Sequence, residues 1–348
     1  MPKVKLSHGA GGRAMQRLLK EMVVSRLASD VGEVRLSEMD DSAIVDGIVF
    51  TTDSHTVKPL FFPGGDIGSL SIAGTVNDLA VMGAEPIALS LAMVVEEGLD
   101  LDILEKVIGS VARTARKAGV SIVTGDTKVM ERGAVDKLVL NTSGIGRRHP
   151  LLDRNLYIVQ KYRKFAGKWP RDSTLAGGDA LVVSGTIGDH GVAILSAREG
   201  YGFESEVRSD AAPMNHAISE ALDAGGVVAM KDPTRGGLAN ALNEFSEKSG
   251  VGIEIDEAAI PIKPGVRSAC GMLGLDPMEI GNEGKVLFGV VGEKASDVLK
   301  SLRKTPEGRQ AAIIGRASKK VRGVVMRTKI GGRRIVEPPI GDPVPRIC

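Results

Sequence analysis

The chain alternates short β-branched runs with longer amphipathic stretches. Ile48-Val49-Phe50-Thr51-Thr52, Ser121-Ile122-Val123-Thr124 and Lys137-Leu138-Val139-Leu140-Asn141-Thr142 are bounded by turn residues and predict strands, the last ending in Gly144 and Gly146. Leu101, Leu104, Val107, Ile108, Val111, Ala112 and Ala115 recur at helical spacing and predict an amphipathic helix over 101–118. His149-Pro150 breaks the pattern, which restarts as strand and turn at Asp179-Ala180-Leu181-Val182-Val183-Ser184-Gly185. Helices over 213–225 and 236–249 and strands near 252–256 and 285–291 follow. This mixture predicts an α/β (α+β) protein of two domains, 1–150 and 151–326. From Arg327 the periodicity stops, and Pro338, Pro339, Pro343 and Pro345 remove backbone donors. Residues 327–348 read as a flexible tail; its last eleven residues, from Pro338, can extend roughly 35 Å.

Composition narrows the function. A length of 348 residues suits two domains, and 43% hydrophobic with 25% charged residues is too apolar for disorder. A net charge of +2 and only 3% aromatic residues argue against nucleic-acid binding. No apolar run is long enough to span a membrane, and the N-terminus does not begin a signal peptide, so a cytoplasmic protein is expected. Two cysteines, Cys270 and Cys348, make neither a disulfide framework nor a Cys-x-x-Cys pair. Cys270 reads as a small buried hydrophobe. Cys348, at the tip of a reaching arm, is where chemistry is expected.

The chain has no Walker loop, since Gly284-Lys285 is followed by Val286, and no Gly-x-Gly-x-x-Gly opens a helix. In their place stand acids at apparent strand ends: Asp53, Asp126 in Gly125-Asp126-Thr127-Lys128, and Asn77-Asp78 on a small-residue stretch. Carboxylates converging there suit Mg²⁺ shared with substrate phosphates, and each also suits a turn or cap. Ser7–Arg13, Pro63-Gly64-Gly65-Asp66 and Asp232-Pro233-Thr234-Arg235-Gly236-Gly237 are Gly-rich; they fit phosphate cradles at helix starts, or tight turns. Glu283 suits a surface turn or a general base between domains, and Lys128 a solvated cation or a proton acceptor beside Asp126. His55 and His190 fit structural roles, and no ligand spacing suggests zinc.

Together these segments resemble the superfamily of aminoimidazole ribonucleotide synthetase, selenophosphate synthetase and thiamine-monophosphate kinase. More closely, they resemble the HypE family of hydrogenase maturation factors. The resemblance rests on His8-Gly9-Ala10-Gly11-Gly12, the run from Asp53 to Gly68, Gly74–Ala84, Gly125–Val129, Gly185–Gly191, Asp232–Gly237, Asn282-Glu283-Gly284 and the ending Pro345-Arg346-Ile347-Cys348. It implies an N-terminal domain that dimerises through a β-barrel-like interface, an α/β C-terminal domain, and ATP between them. It implies further that a HypF-like carbamoyltransferase loads Cys348, that ATP-driven dehydration yields a thiocyanate, and that the cyano group passes to iron on a HypC–HypD complex. Asp53, Asp78 and Asp126 would hold Mg²⁺. Asn77, Thr127, Gly64, Gly65, Asp232 and Arg235 would join those acids around ATP, with Lys128 and Glu283 as bases beside Cys348. The family pattern is interrupted by Leu152–Pro170, which reads as a surface extension. The competing readings are a superfamily enzyme acting on a diffusible small molecule, and a non-catalytic scaffold with a docking tail.

Overall fold

The structure, a computed structural model, describes residues 3–198, 206–341 and 343–348. The first sheet uses β1 (Ala43–Val45), β2 (Ile48–His55), β5 (Ala84–Glu96), β6 (Ser121–Met130) and β7 (Leu138–Arg148), with a separate two-stranded hairpin, β3 (Phe61–Phe62) and β4 (Gly65–Asp66), between β2 and β5. Its order is β1-β2-β7-β5-β6, with β6 parallel to β5 and the other neighbours antiparallel. One face is covered by the helices Ile67–Val81 and Leu101–Ala118. The second ends where Gly119 takes the left-handed conformation that glycine accepts without strain. The sheet stays open, with β1 and β6 at its edges, so the expected barrel is not closed by one chain.

The strands run further than hydropathy suggests. β2 pairs with β7 through Asp53↔Thr142 to His55↔Leu140, so Asp53 lies within a strand. β6 continues through Gly125-Asp126-Thr127-Lys128, and β7 passes straight through Gly144 and Gly146. At Gly144 a Cβ would sit 2.7–2.8 Å from Leu89, Leu79 and Thr75; glycine there lets the helix Ile67–Val81 lie directly on the sheet.

The second sheet gathers β8 (Ala180–Val183), β9 (Val227–Lys231), β10 (Gly252–Asp256), β11 (Leu287–Val290), β12 (Ala312–Ser318), β13 (Val324–Arg327) and β14 (Arg333–Val336) in the order β14-β13-β10-β12-β8-β11-β9. The helices Asn215–Ala224 and Gly237–Ser249 pack in this half. β14 forms a hairpin with β13, so the stretch from Arg327 first extends the sheet.

Leu152–Pro170 is not a surface extension. It contains the helix Leu152–Tyr162, whose Leu152, Leu156 and Val159 are buried, and Phe165 and Trp169 close the same core. Asn155 donates to the Val227 carbonyl and accepts from the Val227 N–H, tying the segment to β9. Among the described residues no helix is long and apolar enough to cross a membrane.

Candidate functional site

A cavity of about 520 Å³ opens where the two halves meet. The first half contributes Gly11, Gly12, Asp41, Asp53 and Asp78, the second half Lys231, Asp232, Arg235 and Glu283, and the terminal Cys348 also lines it. The N-terminal Gly-rich loop is there because it must pass close to other backbone. Gly11 has φ +73, and a Cβ on it would lie 2.6 Å from the Arg235 carbonyl oxygen. Asp53 reaches the cavity from β2, and Asp78 from the helix Ile67–Val81, which approaches β2 at Gly74. A side chain at Gly74 would meet His55 Cε1 at 3.0 Å and Asp53 Oδ2 at 3.2 Å.

The acids are crowded and unevenly neutralised. Thr51 donates to Asp78 Oδ2 at 2.9 Å, yet burial and repulsion from Asp232, Asp53 and Asp41 lift the Asp78 carboxyl well above the usual range. Burial, with Asp53 alongside, pushes Asp232 up to about 6 against the pull of Lys231 and Arg235. Glu283 is raised by burial, then by Asp232, Asp53 and Asp210, and its Oε1 has no hydrogen-bond partner. The principal cations facing them are Arg235, held charged chiefly by the terminal residue Cys348, and Lys231. Burial opposes the charge on Lys231, but ion pairs with Asp41 (2.6 Å), Glu244 (2.9 Å) and Asp172 (3.4 Å) keep it protonated. His55 Nε2 lies 3.4 Å from Asp53, but burial lowers its proton affinity, so this is a neutral contact rather than an ion pair.

Such a site fits Mg²⁺. The donors are hard oxygens, their like charges repel, and buried oxygens of Glu283 and Asp41 lack partners. Among the described residues no three His, Cys, Asp or Glu groups close on one ion, so a Mg²⁺ here would take one or two of these carboxylates and complete its shell with water and phosphate.

Several expected residues lie elsewhere. Asp126, Thr127 and Lys128 sit on the exposed edge strand β6, with the Asp126 and Lys128 side chains 63% and 69% exposed and paired to each other at 3.4 Å. Three strand spacings of about 4.8 Å, roughly 14 Å in all, separate Asp126 from Asp53 across the order β2-β7-β5-β6. Asp126 therefore cannot share an ion with Asp53 and Asp78 of its own chain, and Lys128 does not reach its own Cys348 pocket. Asn77 is buried and fully used. It donates to the Ala212 and Glu283 carbonyls and accepts from Met214 N–H, so it ties the two halves together instead of holding a cofactor. Gly64 and Gly65 are also outside the cavity. At Gly64 a Cβ would stand 2.7 Å from Ser209 N and O, and the helix start after Gly65 is already capped by Asp66, which accepts from Gly68 and Ser69. Cys270 is buried, with its thiol pushed up to about 11 by that burial.

Hydropathy alone missed Asp41 and Lys231. The available signal was a lysine ending the otherwise apolar strand β9, directly before Asp232.

The fold and this interdomain acidic site define a protein of the AIR synthase related class. The N-terminal domain family of AIR synthase related proteins matches residues 39–148, and the C-terminal domain family matches 176–327. The chain is 43% identical over 353 residues to the carbamoyl dehydratase HypE of Escherichia coli K12, covering 100% of both. A crystal structure of a HypE–HypF complex superposes with a TM-score of 0.83 at 41% identity, over 92% of this chain and 99% of that one. A structure of the hydrogenase maturation protein HypE in complex with ATP gives 0.79 at 40% identity, over 99% and 100%. The chain belongs to the HypE family of carbamoyl dehydratases.

Proposed function

We propose that this chain dehydrates a carbamoyl group carried on its own terminal thiol, Cys348, using ATP, in the maturation of nickel–iron hydrogenase. The observation that carries this reading is the position of Cys348, which lines the same cavity as Asp53, Asp78, Asp232, Arg235 and Glu283. An enzyme acting on a diffusible small molecule has no need of its own last residue there.

The chemistry explains the residue types. In the S-carbamoyl cysteine the amide oxygen is a poor leaving group. It takes the γ-phosphoryl group as the phosphoanhydride bond breaks, and one N–H proton is lost. The second N–H proton then leaves as the C–O bond breaks and phosphate departs; the carbon–nitrogen triple bond forms, leaving a thiocyanate on Cys348. Positioning and charge stabilisation suffice for the phosphoryl step. Arg235 supplies fixed positive charge, and one or two of the carboxylates of Asp53, Asp78 and Asp232 would hold Mg²⁺, which neutralises phosphate charge when bound. Glu283 takes the protons: its buried carboxyl, with Oε1 lacking a hydrogen-bond partner, has a proton affinity raised by burial and the neighbouring acids, which makes it a stronger base than a solvated carboxylate.

A HypF-like carbamoyltransferase would load the thiol, and a HypC–HypD complex would accept the cyano group on iron. A homodimer accords with the open edge at β6 and the uncovered sheet face, where exposed Phe50 pairs directly with exposed Ile145. A second chain could cover that face and bring Asp126, Thr127 and Lys128 to a site that they do not reach in their own chain. The test is mass spectrometry of the C-terminal peptide after carbamoylation. Loss of one water only with Mg·ATP supports the reading; an unchanged carbamoyl-cysteine overturns it.

A further inference from the structure

The last four residues are held by groups that lie apart from the acids. The Ile347 carbonyl is 2.7 Å from His190 Nε2, while Nδ1 faces Ser209 Oγ at 2.8 Å. A carbonyl only accepts, so Nε2 carries the proton and Nδ1 accepts from the serine hydroxyl. Arg198 Nη2 donates to the carbonyls of Pro345 (2.5 Å) and Arg346 (2.8 Å), and its Nε donates to the Lys58 carbonyl. Lys58 N–H reaches the Arg346 carbonyl, and Thr56 Oγ1 donates to a terminal carboxylate oxygen of Cys348 at 3.3 Å. The carbonyls of Pro345, Arg346 and Ile347 and the terminal carboxylate of Cys348 thus all have donors.

The side chains are also sorted. Val344 and Ile347 are buried among Val192, Ile194 and Ile280. Ile347 occupies a socket that exists because residue 281 is glycine, where a Cβ would stand 2.4 Å from Ile347 Cδ1. Arg346 takes φ +57, and its side chain bonds the Thr56 carbonyl at 3.0 Å and Asp136 at 2.7 Å. Asp136 also pairs with Lys58 at 2.9 Å.

We infer that this groove is a register-setting receptor for the Pro-Arg-Ile-Cys ending. Asp136 reads Arg346, and His190 and Arg198 clamp the backbone, so that the next side chain, Cys348, projects into the catalytic cavity. His190, Arg198 and Asp136 are positioning residues that act through the tail. Arg346 fixes the phase: the alternation of an outward arginine, a socketed isoleucine and an inward cysteine fails if the tail slips by one residue. The inference rests on Cys348 being the reacting residue, but the occupancy of the groove can be measured without that reaction.

The test uses the full chain with Cys270→Ala, so that Cys348 is its one thiol, and compares Asp136→Asn, Arg346→Gln and their double variant. Both side chains are partly exposed, so these substitutions leave the core intact. Cys348 labelling by a bulky maleimide should speed up about tenfold in each single variant, and single-turnover dehydration should slow by a similar factor, since misplacement near 1 Å costs up to about a hundredfold. ATP affinity should not change. The double variant should lose clearly less than the sum of the two single losses, because the Asp136–Arg346 contact is shared by both. Unchanged labelling in all three variants, or additive losses in the double, would overturn the inference. If wild-type chain fails to lose water with Mg·ATP, the dehydratase reading falls, while the labelling comparison still decides the groove.

Discussion

Asp232 gives the sharpest test of the reading that the cavity is built against the stability of the unliganded protein. Its carboxyl is lifted from 3.8 to about 6 by burial and by Asp53, so the folded chain holds a proton that the unfolded chain releases. Stability therefore falls as pH rises through that window. Below about pH 3 the group is protonated in both states and costs almost nothing; at pH 4.5 the cost is about 1 kcal/mol, and by pH 7.5 it reaches about 3 kcal/mol. Asp232→Asn keeps the shape and removes the charge. In the absence of nucleotide and Mg²⁺ the variant should be more stable than wild type at pH 7.5, by up to about 3 kcal/mol, and the gain should shrink to about 1 kcal/mol at pH 4.5.

Chemical denaturation at the two pH values reads this directly, with thermal shift as a second measure. Mg·ATP should stabilise wild type more than the variant, because the variant lacks the charge that a cation would relieve. Turnover should drop despite the gain in stability. A variant less stable than wild type at pH 7.5, or a gain independent of pH, would refute the reasoning: the carboxylate would then be satisfied by Lys231 and Arg235 and would carry no penalty.

Glu283→Gln should keep ATP binding and slow dehydration by about 10²–10⁴-fold, the usual share of a positioned base, as read by single-turnover mass spectrometry. Because the Glu283 carboxyl is raised by burial and neighbouring acids, wild-type rate should fall as pH drops through a value well above the ordinary 4.5, and the variant should lose that acid limb. Asn77→Ala should destabilise the chain by about 1–3 kcal/mol, since it strips partners from Met214 N–H and two carbonyls, while ATP affinity of the folded protein stays near wild type. Lys231→Met should cost about 3–5 kcal/mol by stranding Asp41, Asp172 and Glu244, and Asp41→Asn in the same chain should recover part of it; denaturation midpoints of the single and double variants decide this.

What could be read in the sequence follows from which forces leave a periodic trace. The helix over 101–118 was legible because burial on one face repeats every three to four residues, and it appears with those bounds. The strand carrying Asp53 was legible only to Thr52, since Asp53-Ser54-His55 has polar residues on both faces while the backbone ladder with β7 carries on. The same blindness put Asp126 at a strand end and so beside Asp53, although two strands, β7 and β5, lie between them. In Leu152–Pro170 the spacing of Leu152, Leu156 and Val159 was present, but Arg154 and Lys161 on the helix, with Arg163, Lys164 and Lys168 after it, hid a core helix inside a polar composition.

The site shows the converse. Asp53, Asp78, Asp232, Arg235, Glu283 and Cys348 came from motifs, and they meet in one cavity although they are scattered from the first sheet to the final residue. No periodicity could bring them together, because their convergence is set by how the two halves dock. That docking uses Asn77, which its motif had offered to a cofactor, and Asp40, which belongs to no motif. Asn77 spends its amide across the junction, and Asp40 binds Lys248 at 2.9 Å and Arg171 at 3.0 Å. Removing one member of such a buried network leaves its partner uncompensated, so the network specifies the arrangement even where its net stabilisation is small. The repelling acids of the cavity stay close because these contacts hold the halves at that separation, and the tail groove adds the last component, the thiol, from outside both sheets.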